Sequence, residues 1–128
     1  MSEKEIVRTE HAPAPFQGAP YNQAVKAGGL VFTAGQVGLR PGGELAGASI
    51  AEQTEQVMQN LRAILEEAGS SLDKLVKTTV FLQNFDDFTA MNEVYGAHVG
   101  SSPPARSTVE VSKLPSGALV EIEAVALL

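Results

Sequence analysis

Two stretches near the end of the chain carry the side chains best suited to chemistry, Arg106 and Glu121. An arginine side chain offers a planar fork of N–H donors that matches the two oxygens of a carboxylate. A glutamate placed nearby can orient or deprotonate a water molecule. Together, the two groups suit a small substrate that has its own carboxylate and an electrophilic carbon.

Both residues lie in stretches with the composition of β-strands, because β-branched residues alternate with other types and Pro, Gly and Ser bound each run. Alternation places Arg106, Thr108 and Glu110 on one face of the first strand. One face of the second strand is wholly apolar, which predicts that it is the core side. The opposite face mixes Glu121 and Glu123 with large apolar side chains, which predicts a surface partly covered by another subunit.

A simpler interpretation of these charged residues stays open at this point. In it, Arg106 forms a salt bridge with Glu121 or Glu123 on a neighbouring strand, and spacing alone favours this structural role over a catalytic one. Glu123 also suits an interface salt bridge, so we do not count it among the catalytic candidates.

Other side chains that could carry chemistry form no pattern of a known kind of site. His11 and His98 are far apart and lack metal-ligand spacing, and the chain has no cysteine. No serine lies in a nucleophile elbow. The glycine pairs at 28–29 and 42–43 are typical of turns rather than of a phosphate-binding loop. We therefore expect no metal site.

The composition indicates an ordinary globular protein. Its 128 residues predict one domain, 1–128, and 44% of them are hydrophobic. The formal net charge of −6 argues against nucleic acid as the main partner, since such binding rests on clustered Lys and Arg. The first residues lack the pattern of a signal peptide, and no apolar stretch approaches the ~20 residues of a membrane span. We expect a cytoplasmic protein that does not bind membranes.

Periodicity predicts six strands and two helices in the order β-β-β-α-β-α-β-β. Strands are predicted at residues 6–9, 22–26, 30–37 and 75–82, directly after Pro104, and at 119–128. The first helix, 49–68, begins with a capping box of Ser49 and Glu52 and ends before Gly69, a natural C′ residue. The second is capped by Asp86 or Asp87 and buries Phe88, Met91 and Tyr95.

The third and sixth predicted strands call for a partner chain. Both faces of residues 30–37 are largely apolar, as in a strand that is covered on both sides. Two helices suffice to cover only one side of such a sheet. We therefore expect oligomerisation through the uncovered face.

Several separated motifs, in the right order and covering nearly the whole chain, resemble the RidA (YjgF) family of imine deaminases. They are residues 18–21, 33–36, 53–60, 76–81, Asn92 with Tyr95, 104–111, 114–115 and 120–124. The resemblance implies an α+β, chorismate-mutase-like fold, in which a six-stranded sheet carries two helices on one face. It also implies a homotrimer whose sheets form a central barrel, with active sites in the clefts between subunits.

Members of this family hydrolyse 2-imino acids, released by pyridoxal-phosphate enzymes, to 2-keto acids and ammonia. By resemblance, Arg106 binds the substrate carboxylate and Glu121 positions the attacking water. Tyr21 and Asn92 match cleft-lining residues, and the backbone at Gly35 and Thr108 lies where the family contacts substrate. The resemblance calls for no metal and no organic cofactor.

Two departures from the family pattern bear on this reading. Many bacterial members have cysteine where this chain has Thr108, and serine where it has Ala34. The missing cysteine removes a thiol-based switch, and the missing hydroxyl bears on substrate preference more than on activity. Two other functions stay open: a non-catalytic trimer that binds small carboxylates for regulation, and a ribonuclease or translation inhibitor, against which the acidic charge speaks.

Overall fold

The structure is a computed structural model and describes residues 3–128. Met1 and Ser2 lie outside the described residues. The predictions of a domain over 1–128 and of no signal peptide both include these two residues. The strands are β1 (Glu5–Val7), β2 (Ala24–Ala27), β3 (Leu30–Thr33), β4 (Gln36–Val37), β5 (Leu75–Leu82), β6 (Ala105–Glu110) and β7 (Val120–Leu127). The helices are α1 (Ile50–Glu67) and α2 (Phe88–Val99), with short 3-10 turns at Leu72–Lys74, Phe85–Asp87 and Pro115–Gly117. Within the described range no helix has the length and apolarity needed to cross a membrane.

The strands form one mixed sheet, and the helices pack on one side of it. The strand order is β1-β2-β3-β7-β5-β6, and β4 pairs with β7 beside β3. Neighbouring strands are antiparallel except β5 and β6, which run parallel because α2 connects them. The expected α+β architecture is confirmed.

The sheet differs from the prediction in its third strand. The predicted strand 30–37 is divided into β3 and β4, so the sheet has seven strands rather than six. At the break, the N–H of Ala34 donates to the carbonyl of Gln23, 2.8 Å away, and Gly35 lies against the side chain of Glu121, which is distant in the sequence. Pairing with β7 resumes only at Gln36, opposite Ile122.

Both ends of α1 are as predicted. The Ser49 Oγ accepts from the N–H of Glu52 at 3.1 Å, and the Glu52 carboxylate accepts in return from the N–H of Ser49 at 3.3 Å. The capping box therefore satisfies two amides that the first turn leaves without helical partners. Gly69, with φ of +90°, follows the last turn in a conformation that other residues rarely adopt.

Helix α2 starts where it was predicted to, but the predicted cap is not formed. Asp87 stands at the N-cap position, but its side chain makes no capping hydrogen bond. The side chain of Asn84 caps the preceding 3-10 turn instead, accepting from the N–H of Asp86 at 2.8 Å. Because that turn runs directly into α2, the free amides lie one turn earlier than the apolar periodicity suggests.

The core lies between α1, α2 and the apolar face of β7. Val57, Leu61 and Ile64 of α1 and Ile122 of β7 are all fully buried in one cluster. Burial of each such side chain contributes about 1.5–3 kcal/mol. The sheet therefore has a helix face, packed on α1 and α2, and an open face on its other side.

The open face exposes apolar side chains in the single chain. Phe32 of β3 and Leu127 of β7 are 43% and 51% exposed. Their cross-strand partners on this face, Val125 and Leu30, are also apolar. Oligomerisation through this face stays a prediction.

We expect Ser49→Ala to lower the free energy of unfolding by about 1 kcal/mol, because the variant loses the N-cap acceptor of α1. Urea denaturation at fixed protein concentration measures the change. Ser101→Ala, in an exposed turn, is the matched control and should unfold like the wild type. Equal stability of the two variants would contradict the contribution of the cap.

Candidate functional site

Arg106 and Glu121 do not lie on neighbouring strands, because β5 runs between β6 and β7. Arg106 pairs in register with Thr78 of β5, and Glu121 pairs with Phe81. The interpretation of a salt bridge between Arg106 and Glu121 or Glu123 is therefore wrong. Among residues 3–128 the ion pairs lie elsewhere, at Lys26–Glu5 and His98–Glu55.

The two candidate residues also point to opposite faces of the sheet. Residues paired in register share a face, and Thr78, the partner of Arg106, is fully buried on the helix face. Glu121 alternates with Val120 and Ile122, which are both buried on the helix face, so its side chain projects from the open face. Two strands and three positions apart, their Cα atoms are separated by about 14 Å. The two side chains of one chain cannot act on one small molecule.

Arg106 lies against aromatic rings of α2. Its guanidinium carbon is 4.9 Å from the ring centre of Tyr95 and 5.5 Å from that of Phe88. Such cation–π contacts contribute about 0.5–2 kcal/mol each. Within residues 3–128 the side chain makes no ion pair, so a half-buried cation presents its N–H fork without an anion.

Thr108 and Asn92 adjoin Arg106. Thr108 is two residues further along β6 and pairs with Val80, so it shares the face of Arg106. Asn92 lies on the same stripe of α2 as the two aromatic rings. Its Oδ1 is buried and has no hydrogen-bond partner in the described part of the chain, an arrangement that costs about 1–3 kcal/mol. We call Arg106, Thr108, Asn92, Phe88 and Tyr95 the Arg106 edge.

A second group of the predicted residues lines one cavity around Glu121. Tyr21, Gly35 and Glu121 form its walls, together with Pro13 and Pro115. We call these five residues the Glu121 pocket. The cavity has a volume of about 30 Å³. That is room for an ordered water, which needs roughly 10–15 Å³, but not for an amino-acid-sized ligand.

Gly35 is required by the position of the Glu121 carboxylate. A Cβ added to Gly35 would overlap the Oε2 atom and lie 2.8 Å from the Cδ atom of Glu121. Only a residue without a side chain lets the carboxylate lie against the backbone between β3 and β4. The glycine that divides the predicted third strand thus also shapes the pocket.

The Glu121 carboxylate is partly removed from solvent and has no compensating partner within residues 3–128. It is half-buried, and no hydrogen bond or ion pair to it occurs among residues 3–128. Burial raises the pKa of Glu121, and the nearby charge of Glu123 raises this pKa further. A carboxylate whose pKa is raised towards neutrality is better matched to proton transfer than an ordinary glutamate.

Gln23 shapes the pocket and was missed by the sequence analysis. Its side chain is 3% exposed and takes the 2.7 Å hydrogen bond from the N–H of Thr9, while its Nε2 donates 2.8 Å to the carbonyl of Pro13. These bonds hold the proline-containing loop over the pocket, where the Tyr21 hydroxyl accepts from the N–H of Phe16 at 2.9 Å. The one signal in the sequence is that a loop with three prolines offers few backbone donors of its own.

Comparison with known proteins agrees with this fold. The family model described as Endoribonuclease L-PSP matches residues 9–128. A RutC family protein of Pyrococcus abyssi is 51% identical over 124 residues, which are 96% of this chain and 96% of that protein. Reactive Intermediate Deaminase A, chloroplastic, of Arabidopsis thaliana is 44% identical over 126 residues, 98% of this chain and 66% of that protein.

Solved structures give the same result. The crystal structure of RidA from the Antarctic bacterium Psychrobacter sp. PAMC 21119 superposes with a TM-score of 0.92 at 41% identity, covering 97% of this chain and 99% of that one. The chain therefore belongs to the RidA/YjgF family, whose model carries the endoribonuclease L-PSP description. The predicted family and chorismate-mutase-like fold are confirmed.

The six predicted site residues fall into two groups in the single chain. Arg106, Thr108 and Asn92 belong to the Arg106 edge, and Tyr21, Gly35 and Glu121 to the Glu121 pocket. Their roles stay predictions.

We expect Glu121→Gln to raise the melting temperature by a few degrees at pH 7, because it removes a half-buried charge that has no partner. Since the folded state binds this proton more tightly than the unfolded state, the wild type loses stability as the pH rises through the raised pKa of Glu121. The gain should vanish near pH 4, where the wild-type side chain is protonated.

Thermal unfolding at the two pH values, at one protein concentration, measures this effect. Glu44→Gln, at an exposed loop position, controls for the change in net charge. A Glu121→Gln variant no more stable than that control at pH 7 would mean that Glu121 has a stabilising partner in solution.

Proposed function

We propose that this protein hydrolyses 2-imino acids to 2-keto acids and ammonia at sites shared between two copies of the chain. The observation that carries the proposal is the pair of incomplete groups on opposite faces of the sheet. Within the described part of the chain, the Arg106 edge has a cation without an anion, and the Glu121 pocket has a carboxylate with room for a water. The name of the Arabidopsis relative, Reactive Intermediate Deaminase A, supports the reaction class.

Substrate binding starts from the carboxylate that every 2-imino acid carries. The guanidinium fork of Arg106 binds it through two parallel hydrogen bonds. Thr108 and Asn92 adjoin the bound molecule from the same copy, and Tyr21 and Gly35 approach from the other. The imine carbon, directly bonded to the carboxylate, then lies beside the Glu121 pocket.

Hydrolysis needs one placed water and one proton carrier. Glu121 takes a proton from the water as its oxygen bonds to the imine carbon, and the electron pair of the C=N bond moves to nitrogen. The proton then passes from Glu121 to the nitrogen. The C–N bond breaks and ammonia leaves as the oxygen gives its remaining proton to Glu121 and the C=O bond forms, and Glu121 then releases this proton to solvent. A protonated imine is already electrophilic, so orientation and a positioned water supply most of what the reaction needs.

A ring of three copies satisfies both incomplete groups at once. In a head-to-tail ring, every copy presents its Arg106 edge to one neighbour and its Glu121 pocket to the other. Covering the open face also buries the exposed Phe32 and Leu127. We propose the homotrimer as the active form.

The first test measures ammonia release from imines generated in situ by an amino-acid oxidase. We expect Arg106→Ala and Glu121→Gln each to lower kcat/KM by at least about 100-fold, the lower range for loss of a general base. Size-exclusion chromatography should show an assembly unchanged from the wild type. Binding of 2-keto acids without any turnover by the wild type would favour the regulatory binding trimer instead.

The second test asks whether the site is shared between copies. Arg106→Ala and Glu121→Gln chains, co-expressed with different tags and purified through both, form mixed trimers in which about one site in three has both native residues. We expect about a third of the wild-type activity from two inactive parents. Mixed trimers as inactive as their parents would place Arg106 and Glu121 in one chain's site or in none.

A further inference from the structure

The orientation of Arg106 depends on its aromatic neighbours rather than on an ion pair. Among residues 3–128 its guanidinium group has no ion-pair partner, and its central carbon lies over the rings of Tyr95 and Phe88. A long side chain held by aromatic side chains rather than by an ion pair keeps considerable rotamer freedom unless those side chains are themselves immobile. The question is therefore what immobilises them.

The nearer ring, that of Tyr95, is anchored to the strand next to Arg106. The Tyr95 hydroxyl and the Thr78 hydroxyl are 2.6 Å apart, in a hydrogen bond that is fully within the core. Thr78 is 0% exposed and Tyr95 is 4% exposed. Thr78 is also the register partner of Arg106. The same residue of β5 therefore lies beside Arg106 and fixes the Tyr95 ring against which the guanidinium group packs.

Burial, rather than this hydrogen bond, keeps the Tyr95 ring neutral and so leaves the arginine charge free. Burial raises the pKa of Tyr95, against the opposing effects of the Thr78 hydrogen bond and the Arg106 charge. The phenol therefore stays protonated at neutral pH and does not neutralise the guanidinium as a phenolate would. The positive charge stays available to a ligand.

We infer that Thr78 and Tyr95 act together as positioning residues for Arg106, orienting its guanidinium fork towards the carboxylate of the ligand. This rests on the proposed role of Arg106 in binding that carboxylate. The pair touches no reacting atom, so its contribution lies in preorganisation, which lowers the entropy lost when the ligand binds. A contact of this kind is equal in the bound substrate and the transition state, so its loss raises KM and leaves kcat little changed.

Four variants separate positioning from folding. Tyr95→Phe and Thr78→Val each leave one buried hydroxyl without a partner, whereas the double variant leaves none and should fold normally. Tyr95→Leu removes the ring itself. Met91→Leu, a buried change on the same helix, is the matched control.

We expect KM for the imine to rise about threefold in the double variant, which keeps the aromatic ring but lacks the hydrogen bond that anchors it. We expect a rise of about tenfold in Tyr95→Leu, which loses a cation–π contact. The kcat of both should stay within a factor of about two of the wild type, and Met91→Leu should match the wild type in both constants. Because Tyr95→Phe keeps the ring face, its KM should lie between those of the wild type and Tyr95→Leu.

A readout independent of turnover completes the test. The ¹⁵N relaxation of the Arg106 Nε–H group, assigned by its absence in Arg106→Lys, should show a rigid group in the wild type and a mobile one in Tyr95→Leu. Wild-type protein without turnover would remove the proposed function, and this measurement would still decide the inference. A rigid Arg106 in Tyr95→Leu, or an unchanged KM in both Tyr95→Leu and the double variant, would overturn it.

Discussion

The alternation of side chains across one sheet is the constraint on which the rest of the structure depends. Strand β5 separates β6 from β7. The register of β5 with these two strands places Arg106 on the helix face and Glu121 on the open face. A change of rotamer leaves a side chain on its own face of the sheet. Moving either residue to the other face would require its strand to slip by one residue, which would expose the whole apolar face of that strand. The cation and the carboxylate are therefore kept apart within one chain, although they lie 15 positions apart in the sequence.

This separation explains two features that an isolated chain would not favour. Among residues 3–128, the half-buried Arg106 has no anion and the half-buried Glu121 carboxylate has no donor, and each of these lowers stability. If Arg106 had paired with Glu121, both costs would disappear, and so would the means to bind a second carboxylate or to activate a water. The sheet order prevents that pairing, and Tyr95 holds the arginine through its ring rather than through a charge.

The sequence predicted much of the fold because its signals there are local. The capping box at Ser49, the glycine after α1 and the alternation in β7 each act within a few residues, and each was found in the structure. The division of the third strand was missed, because it occurs where Gly35 packs against the side chain of Glu121, a residue far along the chain. The cap of α2 was misplaced because a 3-10 turn and a helix share one apolar periodicity.

The candidate site was only partly predictable for the same reason. Residue type singled out Arg106 and Glu121, but strand order decides whether they are neighbours, and spacing alone suggested a salt bridge that β5 makes impossible. Gln23 and Thr78 were not singled out, since a buried glutamine and a strand threonine are ordinary until their partners are known. What such side chains do is set by contacts between distant segments. A site whose support is long-range in this way, and whose two halves face opposite directions, requires the three-dimensional arrangement before its chemistry can be argued.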